Sequence, residues 1–406
     1  MKSKLVLIFY VIAIIALPND ALFNWLGQLT GLVFWRQLIW LIGTITLFIF
    51  LSQRYRNYSY VNRVCKKYNI IYVFLLFLCF ISLFLYGFST IRVLNSFIDY
   101  TYGIIFIIFP AICFESGWTR KKFNYFFIII GIFLSAGFLV DFAMDGAITM
   151  LFHVTQDGSL MEFDSGRFQF FATAVTTLSV FYCLCLMCCF VEIKQSRGII
   201  KVILILISFF FLFGCIFSGS RQTLATLIVE ELAGLFYVFK NSKASMITIV
   251  ASILIAILIL PQARNILSDN SGFETRYDVE DIKNDERSEL WLQGFEDTFS
   301  SISRLTIGDG VGYVHGQHAD SHEKVGLHYE NTFFARISEI GLFLGLLTLL
   351  FPVHYIVRNK KNNEFFILYV GAVVSYLFIS FVSPNGGAMQ TQMPLYILLA
   401  LSFEDS

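Results

Sequence analysis

The feature that most constrains this chain is a succession of apolar stretches, each about as long as a helix that crosses a bilayer. A crossing takes roughly 20 apolar residues. About twelve such stretches can be marked, centred in 5–18, 34–51, 70–87, 93–114, 123–144, 168–191, 199–218, 222–239, 244–261, 332–356, 364–383 and 388–403. The first is short, and the strongly apolar part of the last runs only from Pro394 to Phe403. Hydrocarbon offers the backbone no hydrogen-bond partner, so these runs read as helices. The expected fold is therefore an all-α polytopic membrane protein. Composition agrees: the chain is 57% hydrophobic with 46 Phe, and only 14% charged, where a soluble domain carries about 25% charge. That excludes a soluble enzyme, a disordered chain and a nucleic-acid binder. No small-x-small site follows the first span and Pro18-Asn19-Asp20 reads as a loop, so a cleaved signal peptide is not expected.

Acids and bases number 29 each, so only their placement is informative. Lys2 and Lys4 fall on one side with Arg54, Arg56, Arg63, Lys66, Lys67, Arg120, Lys121, Lys122, Lys194, Arg197, Lys201, Lys240, Lys243, Arg358, Lys360 and Lys361. The opposite short loops hold Arg92, Arg167 and Arg221. The positive-inside rule then puts both termini in the cytoplasm of a multi-pass inner (cytoplasmic) membrane protein. Three segments follow: 1–261 with spans one to nine, 262–331 as one large outer, periplasmic loop, and 332–406 with spans ten to twelve. The loop carries 14 acids against 6 bases and four of the six histidines. Its length and its Trp, Gly and His content point to a small folded cap with short helices, where idle loops of this length are uncommon.

Seven of the eight cysteines lie in the spans and none in the outer loop, so no disulfide framework is expected there. Cys183, Cys185, Cys188 and Cys189 spread around one helix and read as small apolar packing. His318-x3-His322 has the spacing of two ligands on a helical turn, but its flanks read as polar surface. No metal site and no cofactor are expected. Internal repeats and Walker-type phosphate loops are absent from the sequence.

Three constellations carry candidate chemistry. Ser218-Gly219-Ser220-Arg221 joins two spans at the outer surface, and a guanidinium beside a helix N-terminus makes an anion site; a snorkelling interface anchor is the alternative. Arg287-Ser-Glu-Leu-Trp291 precedes Gly308-Asp309-Gly310-Val311-Gly312, whose Gly310 and Gly312 allow close backbone approach and present N–H groups to an anion, unless they form an ordinary turn. Finally, His328-Tyr-Glu-Asn331 runs into a span holding Arg336, Glu339, Gly341 and Gly345. On one continuous helix Glu339 would lie about 20° around from His328 and Arg336 about 80°. His328 then reads as a base at the mouth of a polar cleft, with an Arg336–Glu339 structural pair as the alternative and Gly341-x3-Gly345 as close helix packing. Arg36, Asp99, Asp141, Asp145, Glu230 and Glu231 are further charges in or at the edge of spans, which line a cavity or pair among themselves.

These motifs, in this order, resemble the O-antigen polymerase and O-antigen ligase superfamily of bacterial envelope glycosyltransferases. The match rests on His328 and Asn331 at the end of the large loop, then Glu339-x-Gly341-x3-Gly345, the Arg287…Trp291…Gly-x-Gly-x-Gly order and Ser220-Arg221 between two spans. Ser165-Gly166-Arg167-Phe168 is a weaker match that departs from the Gly-x-Phe-x-Asn-Pro form of many ligases. The resemblance covers about 160–350. It implies the C-type membrane glycosyltransferase architecture and inverting transfer on the periplasmic face. Donor and acceptor are oligosaccharides on undecaprenyl pyrophosphate, in the surroundings of membrane lipid, with a chain-length regulator as a candidate partner. It assigns His328 as the catalytic base, Arg221, Arg287 and Arg167 to the pyrophosphate, and Asn331, Glu339, Arg336, Gly310 and Gly312 as supporting residues. The loop's acidity leaves two readings open: its carboxylates orient sugar hydroxyls, or they confine pyrophosphate to the few arginines. The expected activity is polymerisation of lipopolysaccharide repeat units. A ligase that moves finished polymer to lipid A-core needs the same chemistry, and a lipid-linked oligosaccharide flippase is the alternative from another class.

Overall fold

In lipid, a helix at the centre of a bundle and a helix at its rim are both apolar, so the fold is defined by which faces are covered. The computed structural model describes residues 3–53, 58–152, 168–239, 287–314, 331–360, 365–383 and 387–404. Every regular element among them is helical. In chain order these are α1 (Ser3–Ala16), α2 (Asp20–Thr30), α3 (Trp35–Ser52), α4 (Ser59–Phe84), α5 (Thr90–Thr101), α6 (Phe109–Glu115), α7 (Arg120–Ala143) and α8 (Ala147–Phe152). They continue as α9 (Ser179–Gln195), α10 (Gly198–Phe217), α11 (Arg221–Phe239), α12 (Arg287–Thr298) and α13 (Ile302–Thr306). The last four are α14 (Thr332–Ile340), α15 (Leu342–Lys360), α16 (Phe366–Val382) and α17 (Met389–Glu404).

Eight helices among the described residues are long and apolar enough to cross a membrane, or nine if α1 and α2, which meet at 110°, form one span. The chain is a polytopic membrane protein. The stretch 244–261 lies outside the described residues, as does most of the large loop.

The centre is formed by α9, α17 and the run from α5 to α6. The fifteen residues of α9 from Ser179 to Ile193 are all buried, and so is α17 from Met389 to Ser402. Between α5 and α6 the chain tightens into a 3-10 turn over Gly103–Ile108, every residue of which is buried against α17. Pro110, at the start of α6, has no N–H to continue an α-helical ladder, which accounts for the break. The weak hydropathy of the last predicted span has its reason here. Gln390, Thr391 and Gln392 open α17 and are buried because each has a partner: Asp20 at 2.7 Å, the Thr177 carbonyl at 3.1 Å and the Tyr376 hydroxyl at 3.2 Å. Around the centre, α11 packs on α16 and α9, and α7 packs on α9 and α10.

The expected span over 332–356 is two helices. Gly341 ends α14 with φ 78° and ψ 164°, a region open to glycine alone, and α15 begins at once. A Cβ on Gly341 would run into the Thr306 backbone, so α13 sits beneath this break. The Gly341-x3-Gly345 spacing therefore serves packing at a bend: a Cβ at Gly345 would stand 3.1 Å from the Arg336 backbone. Gly341→Ala should lower stability by about 1–3 kcal/mol from backbone strain alone, with the clash added. The folded fraction surviving a heat ramp in detergent, read by size-exclusion chromatography, measures this; an unchanged midpoint would refute the bend.

Candidate functional site

At one end of the bundle, the last residues of α16 gather the starts of three other helices. Asn331 caps α14: its Oδ1 accepts from the Phe333 and Phe334 amides at 2.9 and 3.2 Å. Its Nδ2 reaches across to the Phe381 carbonyl at 2.8 Å. Thr332 donates to the Ser383 carbonyl from both its amide, at 3.2 Å, and its hydroxyl, at 2.8 Å. The start of α11 arrives at the same place, where Gln222 Nε2 donates to the Val382 carbonyl at 2.9 Å. Trp291, in α12, packs its ring 5.4 Å from that of Phe381. Thr298 and Ser338 share a hydroxyl contact of 3.0 Å that ties α12 to α14.

This convergence bears directly on the predicted residues. Arg221 is the first residue of α11 and half-buried, and Ser220 caps the helix by accepting from the Thr223 amide at 3.3 Å. Gly219, at φ 69°, makes the sharp turn that lets α10 end and α11 begin within three residues. Arg287 is the first residue of α12, one turn before Trp291. His328 and Arg167 lie outside the described residues, and the Arg287 side chain does as well. Thus Arg221, Arg287 and Asn331 belong to three helix starts brought to one strip, Phe381–Ser383. Helix N-termini carry positive partial charge, which with a guanidinium suits an anion.

The expected angular relation between His328 and Glu339 involves a residue outside those described; α14 itself starts after Asn331, whose backbone is extended with φ −155° and ψ 117°.

Arg336 and Glu339 are both buried, and Tyr100 of α5 stands between them. The Arg336 guanidinium lies 3.6 Å from the centre of the Tyr100 ring, while the Tyr100 hydroxyl donates to Glu339. Arg336 also donates to the Gly387 carbonyl at 3.2 Å, and Glu339 accepts from the Val314 amide at 2.9 Å.

The glycine turn is not open to an anion in the way its spacing implies. The Asp309 and Gly310 amides donate to the Ser338 and Glu339 carbonyls at 2.7 and 3.1 Å, and the Val311 amide donates to Ser82 Oγ at 2.7 Å. Arg92 closes the turn from α5, reaching the carbonyls of Gly312 at 2.5 Å and Tyr313 at 2.9 Å. Gly310 and Gly312 thereby dock the loop onto α4, α5 and the end of α14.

Among the other charges, Arg36 pairs with Asp20 at 2.7 Å, and Asp20 also accepts from Gln390 and Thr173. Asp141 accepts from the amides of Ile148, Thr149 and Phe170, each at 3.0 Å, and so shapes the chain around α8. Glu231 accepts from Ser208 at 3.0 Å. The cysteines of α9 are buried packing residues.

Short spacing in the sequence does not mark Ser82 or the Asp20–Gln390 contact, whose partners are distant in the chain. For Tyr100 a signal exists: Asp99-Tyr-Thr-Tyr102 is a polar run inside an apolar stretch.

Compared with known proteins, the chain matches no protein-family model, and no curated protein matches its sequence.

Proposed function

We propose that this chain is an O-antigen polymerase, a membrane glycosyltransferase joining undecaprenyl-pyrophosphate-linked repeat units at the periplasmic face of the bacterial inner membrane. The observation that carries this reading is the meeting of the Arg221, Arg287 and Asn331 helix starts on the end of α16. Glycosyl transfer from a lipid pyrophosphate needs positive charge fixed where the leaving group forms, because the electron pair of the breaking bond to the anomeric carbon stays on phosphate oxygen. Arg221 and Arg287 serve that role here, with Arg167 as a third. His328 takes the proton of the acceptor hydroxyl as its oxygen bonds to the anomeric carbon from the opposite side, which inverts the configuration. Arg336, Tyr100 and Glu339 hold α14, the helix that follows His328 in the sequence.

Deleting the gene and running the lipopolysaccharide on a gel tests this. A polymerase predicts that a single repeat unit survives on the core. Loss of every repeat, with polymer retained on the carrier lipid, would make the chain a ligase, and an unchanged ladder would refute both.

A further inference from the structure

Glu230 lies inside the bundle, and nothing in the proposed reaction uses it. It is fully buried on α11, and neither carboxyl oxygen has a hydrogen-bond partner. The carboxyl presses against Gly371 of α16, where any Cβ would collide with it, so the glycine leaves the space the acid fills. The groups facing it are Gly371 on α16, Cys183 on α9 and Glu231 on its own helix. None is a cation, and Glu231 is turned toward Ser208 of α10. An ionised carboxylate in such a place carries a cost of several kcal/mol, more than the neutral acid pays for its unbonded oxygens.

Two sets of hydroxyls lie between this acid and the Arg221 end of the bundle. Ser220 and Thr223 hydroxyls are 2.9 Å apart, and Thr223 and Ser179 hydroxyls 3.1 Å. One turn further, Ser375 donates to the Thr226 carbonyl at 3.1 Å and lies beside the Cys183 thiol. Thr223, Thr226 and Glu230 recur at the spacing of one helix face. All these residues are buried.

We propose that Glu230 is a proton-binding site within the bundle, filled from the Arg221 end along the hydroxyls of Ser220, Thr223, Ser179 and Ser375. A site loaded from one end makes the α9–α11–α16 seam respond to pH on that face alone. This goes beyond the glycosyl-transfer reading and does not depend on it.

Infrared spectroscopy of the full chain in lipid nanodiscs tests it. The wild-type protein should show the carbonyl stretch of a protonated carboxylic acid. Glu230→Gln should remove that band, Glu230→Asp should move it, and Glu231→Gln should leave it in place. In heavy water the band should shift as the proton exchanges, and Thr223→Val should slow that shift by about tenfold, which is ~1.4 kcal/mol on the exchange barrier. A band unaffected by Glu230→Gln, or unmoved by Glu230→Asp should the glutamine variant fail to insert, overturns the site. Exchange at the wild-type rate in Thr223→Val overturns the path.

Discussion

Replacing His328 with alanine is expected to lower glycan elongation by about 10²–10⁴-fold, the usual contribution of a positioned general base, while the protein still inserts into the membrane. The expectation rests on position. Asn331, three residues on, is fixed to the Phe381 carbonyl at 2.8 Å, beside the starts of the helices that carry Arg221 and Arg287. Under the proposed function His328, which lies outside the described residues, precedes that strip in the sequence as the base. Elongation from lipid-linked repeat units, assayed in membranes with the chain quantified by immunoblot, reads the effect. Elongation retained in His328→Ala would remove the base from the mechanism.

The second large effect is on stability. Arg336→Gln should cost about 3–5 kcal/mol, because it takes the positive charge from a buried site that keeps its carboxylate. The guanidinium is stacked on Tyr100 and bonded to the Gly387 carbonyl at 3.2 Å, and Tyr100 in turn holds Glu339. With Arg336 lost, Glu339 remains buried, still fixed by Tyr100 and the Val314 amide at 2.9 Å. Glu339→Gln alone should also destabilise. The double variant Arg336→Gln/Glu339→Gln should cost less than the sum of the two, because no lone charge is left behind. Unfolding midpoints in detergent for the four proteins close the cycle, and strict additivity would show that Arg336 and Glu339 act independently.

Much of the local design was legible because it depends on short spacing. The Ser218–Arg221 turn is an example: a glycine with positive φ, then a serine cap, then a helix opening on arginine. Asn331 sits correctly at the head of α14, yet its part is to cap the helix and tie it to α16, which its sequence neighbours do not reveal. The spacing of the glycine turn suits either an anion cradle or an ordinary turn, and its amides face Ser82 and the end of α14, residues distant in the chain. Arg36 finds Asp20, and Gln390 finds the same carboxylate from the other end of the sequence.

The sequence by itself determined that this chain lives in a membrane, because roughly 20 apolar residues in a row must close their own backbone hydrogen bonds when no water is present. It also determined where several helices begin and end, since caps and glycines act within a few residues. Only the tertiary structure decided that α9 and α17 form the centre, that the run over 332–356 bends at Gly341 against Thr306, and that Tyr100 stands between Arg336 and Glu339. The reason is that lipid is as apolar as a protein core. A helix apolar on every face therefore shows no preferred side, and its neighbours are chosen by side-chain fit and by the few buried polar groups that must find one another.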